Sequence, residues 1–204
     1  MVQPKVRPQG SFALETVDIN GRNWSVLHAS DSAGLLVFLK DRNAIVLVRQ
    51  QRAPMVSAHN PEGSITELLA GRFDKDETPI QLLVREASEE AGIAIDASQI
   101  KVLNFGHPLA LSAGIIDELC WIGYVEISDD QIDPSGKLYG LHEEGEFIDR
   151  IMIPVEQLES LVCEDARVFG MIQWFLRWQM EHRLQALTDQ LEKFEREMNE
   201  TKTI

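Results

Sequence analysis

Along residues 78–93 the apolar positions Ile80, Leu83, Val84, Ala87 and Ala91 return every three or four residues, the spacing of one helix face turned to a core. Both ends of that helix are signalled. Thr78 suits the N-cap, Pro79 the first helical position, Gln81 closes a Thr-x-x-Gln capping box, and Gly92 followed by Ile93 suits the C-terminal turn. Upstream, residues 11–18 and 22–29 flank an Asn20-Gly21 dipeptide, which predicts a hairpin. A lone hairpin is unstable, so it must pack on the main domain or on another subunit. The runs 35–39 and 44–48, joined by the polar cluster 40–43, read as two core strands.

After the helix, residues 100–105, 119–127 and 147–153 read as strands, and Pro154 opens a helix at 155–162. A long helix then starts near Asp165. Ile172, Phe175 and Leu176 give its first half a packing face, and Met180, Leu184, Leu187, Leu191, Phe194 and Met198 continue as a heptad seam. That seam suits either an oligomeric coiled coil or an amphipathic helix lying on its own domain. The pattern predicts an α+β protein in three parts: an N-terminal tail and ribbon (1–30), a main domain (31–164) and a helical extension (165–204).

Charge narrows the partners. The net charge of −14 argues against a broad basic surface for duplex nucleic acid. Cys120 and Cys163 match no metal-ligand spacing and read as reduced core thiols. No apolar run approaches the roughly 20 residues that span a bilayer, and the first residues carry no secretory pattern, so the expected location is the cytoplasm.

The helix also carries candidate chemistry. Glu86, Glu89 and Glu90 stand three or four positions apart on a face expected to look past the core edge toward a loop. Like charges so close disfavour one another's ionised forms unless a cation sits among them. Oxygen-only donors favour a hard cation, Mg²⁺ or Mn²⁺. Arg49 and Arg52 follow the second core strand as phosphate-contacting candidates, and residues 128–146 form a polar, acidic stretch suited to a lid.

Gly71, Glu77, Arg85-Glu86, Glu89-Glu90, Gly92 and Ile93 fit the spacing G-x5-E-x7-R-E-U-x-E-E-x-G-U at every fixed position, and the stretch resembles the Nudix box. Glu67-Leu68-Leu69-Ala70-Gly71 resembles the E-L-P-A-G lead-in of the branch that cleaves ADP-ribose and nucleoside-diphosphate sugars. Val48-Arg49-Gln50-Gln51-Arg52 resembles its V-R-Q-Y-R strand end, and Ser112-Ala113-Gly114-Ile115-Ile116-Asp117-Glu118 its S-P-G-x-x-D-E loop. Leu69, Gln51 and Ala113 depart from that branch.

The resemblance implies a Nudix fold, a mixed sheet between helices in an α/β/α sandwich. It implies that Glu86 and Glu90 ligate the metal with help from Glu89 and the Ala70 carbonyl, while Arg85 and Glu77 orient them. It also implies that residues 143–148 supply a base and a further metal contact, here Glu144 and Glu146 respectively. Arg49, Arg52, Glu67, Ser112 and Glu118 are the implied substrate contacts, and the ribbon is expected to exchange across a homodimer. The implied reaction is Mg²⁺-dependent hydrolysis of ADP-ribose or a related nucleotide sugar. GDP-mannose, UDP-glucose and dinucleoside polyphosphates are alternative substrates, and a catalytically silent sensor is a rival of another class.

Overall fold

The computed structural model describes residues 4–6, 12–136, 139–140 and 147–201. The chain divides into two compact units, Met1–Asp165 and Ala166–Ile204. In the first, β1 (Ala13–Ile19) and β2 (Arg22–His28) form an antiparallel ribbon. Its turn is the mirror-image type that matches strand twist, with left-handed backbone at Asn20 and Gly21 (φ 56° and 78°). Most ribbon side chains are exposed, Leu14 to 73%.

Among the described residues the main sheet has eight strands. These are β3 (Ser32–Leu39), β4 (Ala44–Gln51), β5 (Ser64–Glu67), β6 (Leu69–Arg72), β7 (Lys101–Val102), β8 (Leu109–Ala110), β9 (Leu119–Ile127) and β10 (Asp149–Pro154). Its spine runs β10-β4-β3-β9-β7, with β5 added to β4, β6 to β3 and β8 to β9. The β3–β9 pair is parallel and the rest are antiparallel, so the sheet is mixed. Almost all of β3 is buried, as its near-continuous apolar sequence requires of a strand covered on both faces.

The helix α1 (Pro79–Ala91) begins with the capping box: the Gln81 amide donates to Thr78 Oγ1 at 3.3 Å, and the Thr78 amide to Gln81 Oε1 at 2.8 Å. Gly92 ends it in the left-handed region (φ 61°), where a Cβ would be strained. Leu82, Leu83, Ala87 and Ala91 join Leu35, Val37, Leu69 and Phe73 in the core, where Phe73 meets Trp121 edge to face at 5.6 Å. Each large apolar side chain buried there contributes about 1.5–3 kcal/mol. Leu82 belongs to this face, whereas Ile80 and Val84 are only partly buried. Glu86 and Glu90 follow Leu82 at four-residue intervals and are themselves buried, whereas Glu89 stays partly exposed, so two of the three carboxylates turn inward.

Three further local expectations change. Strand pairing after α1 stops at Val102, because Asn104, Phe105 and Gly106 turn the chain left-handed (φ 51°, 53° and 79°). Val155–Ser160 is a 3-10 helix instead of an α-helix. Cys120 is buried but Cys163 only partly so, and both are free thiols.

The second unit is one helix, α2 (Ala166–Thr201), unbroken over 36 residues. Val168, Met171, Ile172 and Phe175 near its start are buried, and Trp174 and Phe175 both stack against Trp178. No helix among the described residues is long and apolar enough to cross a membrane.

Candidate active site

Strand β6 sets the floor of the site. Pairing with β3 holds Ala70 opposite Gly34 and Gly71 opposite Ala33, directly beneath α1. The Ala70 amide donates to Glu90 Oε2 at 2.8 Å. The Glu86 carboxylate lies so close to Gly71 that any Cβ there would collide with it. Only 8% of Glu86 and 6% of Glu90 is exposed, which removes most of the water that would stabilise their charges. Burial pushes the Glu90 pKa well above the usual carboxylate range, and the charge of Glu86 pushes it further. The Ala70 amide and the Arg52 guanidinium oppose that rise.

Arg85 holds the neighbouring carboxylates. Its Nη2 donates to Glu77 Oε1 at 2.8 Å and its Nη1 to Glu89 Oε2 at 2.9 Å, with Glu86 Oε1 also 2.9 Å from Nη1. Burial works against the guanidinium charge, yet the bond to Glu77 and the charges of Glu86 and Glu77 outweigh it and keep Arg85 protonated beyond its ordinary range. Arg85 thus binds three glutamates of the motif on two nitrogens.

The expected substrate residues fall into separate places. Arg52 donates from Nε to Glu67 Oε2 at 2.7 Å, and its charge reaches Glu90, so Arg52 and Glu67 stand beside the carboxylate pair. Arg49 is exposed within β4, not at its end, opposite Asp149 on one side and Thr66 on the other. Ser112 is exposed, and its carbonyl accepts from the Ile115 and Ile116 amides. Glu118 is buried and accepts from the Ser32 hydroxyl at 2.6 Å.

That loop has an anchor, Asp117, which the motif contains but to which the sequence reading gave no role. Asp117 accepts from the Ala29 amide at 2.9 Å and lies 2.7 Å from His28 Nδ1 and 3.0 Å from Lys5 Nζ. Partial burial resists its charge, but these bonds to His28, Ala29 and Lys5 win and draw its pKa far below the usual range. Asp31 adds an acceptor for the Leu119 amide at 2.9 Å. The ribbon end, the N-terminal Lys5 and the loop are thereby joined.

Glu143, Glu144 and Glu146 lie outside the described residues. The chain on either side is firmly placed. Tyr139 and Ile148 exchange backbone hydrogen bonds at 2.9 and 3.0 Å, and the Gly140 amide donates to the Glu89 carbonyl at 3.1 Å. Arg150 completes the junction: Nη1 donates to the Ala91 carbonyl at 2.6 Å and the Tyr139 hydroxyl at 3.0 Å, and Nη2 to the Asp133 carbonyl at 3.0 Å. Tyr139, Gly140 and Arg150 thus meet the C-terminal end of the carboxylate helix, with Ile148 paired to Tyr139.

Among the described residues no three His, Cys, Asp or Glu side chains are already gathered on one point. Glu86 and Glu89 face Arg85, and Ala70 offers its amide to Glu90, so the four expected ligands among the described residues do not converge as they stand. Their chemistry nonetheless fits a hard divalent cation. The donors are all oxygen, and Glu90 is a buried carboxylate driven toward protonation by Glu86 and Glu67. A divalent cation is the other charge that relieves such a pair. Glu86 and Glu90 would hold it, and Glu89 would join by turning from Arg85.

The chain belongs to the Nudix family, whose NUDIX domain model matches residues 29–175. The mixed sheet, the ribbon and the long C-terminal helix are thus those of an α+β Nudix protein. A GDP-mannose pyrophosphatase of Enterobacter sp. (strain 638) is 27% identical over 187 residues, covering 85% of this chain and 93% of that protein. An ADP-ribose pyrophosphatase of Haemophilus influenzae is 29% identical over 153 residues, covering 72% and 65%. With the family and these relatives, the chain is a Nudix pyrophosphohydrolase.

Proposed function

We propose that this enzyme hydrolyses the diphosphate linkage of a nucleoside-diphosphate sugar, with Mg²⁺ as the natural cation and Mn²⁺ as a substitute. The observation that carries this is the buried Glu86–Glu90 pair set against the β6 backbone, with Arg52 and Glu67 beside it. ADP-ribose is the substrate suggested by the lead-in before Gly71. GDP-mannose is the second reading, favoured because the GDP-mannose pyrophosphatase matches this chain over almost its whole length.

When bound, the cation supplies charge neutralisation for the diphosphate and lowers the pKa of a water. Glu86, Glu89 and Glu90 would hold it. Arg85, tied to Glu77, orients Glu86 and holds Glu89 until it turns to the cation. Arg52 and Arg49 bind phosphate or ribose, with Glu67 fixing the Arg52 fork and Ser112 and Glu118 belonging to the loop that reads the sugar. Glu144 takes the proton of the attacking water, and Glu146 adds a metal contact. One P–O bond of the bridge breaks as the new one forms, giving a nucleoside monophosphate and a sugar phosphate. Positioning and charge account for the rate, so no covalent nucleophile is needed. The exposed ribbon exchanging across a homodimer belongs to the same reading.

The test is a panel of ADP-ribose, GDP-mannose, UDP-glucose and a dinucleoside polyphosphate, with products separated chromatographically, with and without Mg²⁺. Two monophosphates from one nucleotide sugar support the reading. Turnover of none, with binding of a nucleotide intact, would make the chain a sensor. Glu90→Gln is expected to fold and to lose turnover by orders of magnitude, and near-normal activity at equal Mg²⁺ removes Glu90 from its role.

A further inference from the structure

The proposed hydrolysis makes no use of an apolar stripe on α2. Met180, Leu184, Leu187, Leu191, Phe194 and Met198 alternate four and three residues apart and are 57, 57, 57, 64, 60 and 45% exposed. Earlier in the same helix Val168, Met171, Ile172 and Phe175 are 0, 6, 3 and 0% exposed, so the burial at the helix start does not continue along the stripe. An alternation of four and three averages 3.5 residues, the period that keeps a stripe against a second, supercoiled helix. Gln173 and Arg177 hold the preceding core-type positions and end the stripe. It runs for about 27 Å at the ~1.5 Å rise per residue of a helix.

We infer that this stripe pairs with the same stripe of a second copy of the chain, as a parallel two-stranded coiled coil. Charge favours self-pairing at this segment. α2 holds five basic and six acidic residues, so it is nearly neutral in a chain of net charge −14, and two copies meet there with least repulsion. In the parallel register the flanking positions bring Arg183 to Thr188 of the partner and Gln190 to Glu195 of the partner, with no like charges opposed. Antiparallel pairing of the same apolar layers sets Glu181 against Glu195 of the partner, two like charges, beside an opposite pair, Arg183 against Glu197 of the partner, so only the parallel register is free of opposed like charges. The area is sufficient. Six such side chains bury on the order of 600 Å² per copy, about 1,200 Å² for the pair, the lower edge of stable interfaces.

Cysteine cross-linking of the full chain tests this in a Cys163→Ser background, with Cys120 left buried. Leu184→Cys, on the stripe, is expected to form an intermolecular disulfide under mild oxidation at least tenfold faster than Glu192→Cys, on the outer face. Adding Leu187→Glu and Leu191→Glu should abolish that advantage, while circular dichroism shows the helix retained, since Glu is a good helix former. Equal rates for Leu184→Cys and Glu192→Cys overturn the pairing, as does fast cross-linking indifferent to the added charges. Leu184→Cys that links only to a Phe194→Cys chain overturns the parallel direction. Because the readout is contact between stripes, it stands whether or not the ribbon also joins two copies.

Discussion

Arg150 and Tyr139 meet twice: the guanidinium donates to the hydroxyl at 3.0 Å and lies over the ring, 5.1 Å from its centroid. The ring in turn packs on Gly92 at the end of α1. Helix end, β10 and the root of the acidic segment are thus one joint. Arg150→Met breaks three hydrogen bonds and strands the Ala91 and Asp133 carbonyls, at a cost of roughly 2–3 kcal/mol. Tyr139→Phe loses only the hydroxyl bond, about 1 kcal/mol. Urea denaturation checks both. If the joint also sets the base, Arg150→Met lowers kcat at least tenfold with KM within twofold.

Gly71→Ala drives a methyl into the Glu86 carboxylate, which sits on a flexible side chain and yields before the backbone does. Stability should therefore change by less than about 1 kcal/mol while Mg²⁺-dependent turnover falls at least a hundredfold. Thermal melting beside steady-state kinetics separates the two effects. Equal loss of both would place the strain in the fold.

Arg85→Lys keeps one charge but replaces a planar fork by a point charge that cannot reach Glu77 and Glu89 together. A loss of ~10–100-fold is expected in turnover or cation affinity, as for residues that orient metal ligands. Titration with Mn²⁺ followed by water-proton relaxation measures the affinity directly.

Asp117 is depressed in the folded protein by His28, the Ala29 amide and Lys5, against the pull of burial. A carboxylate of this kind contributes stability that is complete above its unfolded value, near 3.9, and is lost as pH falls toward its folded value. Asp117→Asn should accordingly destabilise the protein by about 1–3 kcal/mol at pH 7. The gap to wild type should close progressively below pH ~4. Denaturation curves from pH 7 down to pH 3 show it, and a gap independent of pH would contradict the assignment.

The helix, its caps and the motif along it were legible because each is local: one box, one period and two glycines. The burial of Glu86 and Glu90 was not. Binary patterning sends charge to solvent, and only the approach of Gly71 and Ala70 shows that these two point inward. Arg150 carried no signal, being a single arginine in a strand whose partners are mostly backbone carbonyls that no side-chain pattern encodes. Asn104 and Phe105 likewise gave no warning of a left-handed turn, and an apolar run there read as strand.

The parallel pairing of β3 with β9 sets when this enzyme can come into being. Leu119 reaches the carboxylate of Asp31 across 88 residues of chain, and the whole of α1 lies inside that span. Closing so long a loop is entropically expensive and slow compared with helix formation. The β6 floor needs only the shorter β3–β6 closure, but the sheet behind the carboxylate helix is complete only once the two ends of the longer span are tied. Mg²⁺ present during refolding should then leave the rate of the main phase unchanged and act only after it, by slowing the unfolding of the finished protein.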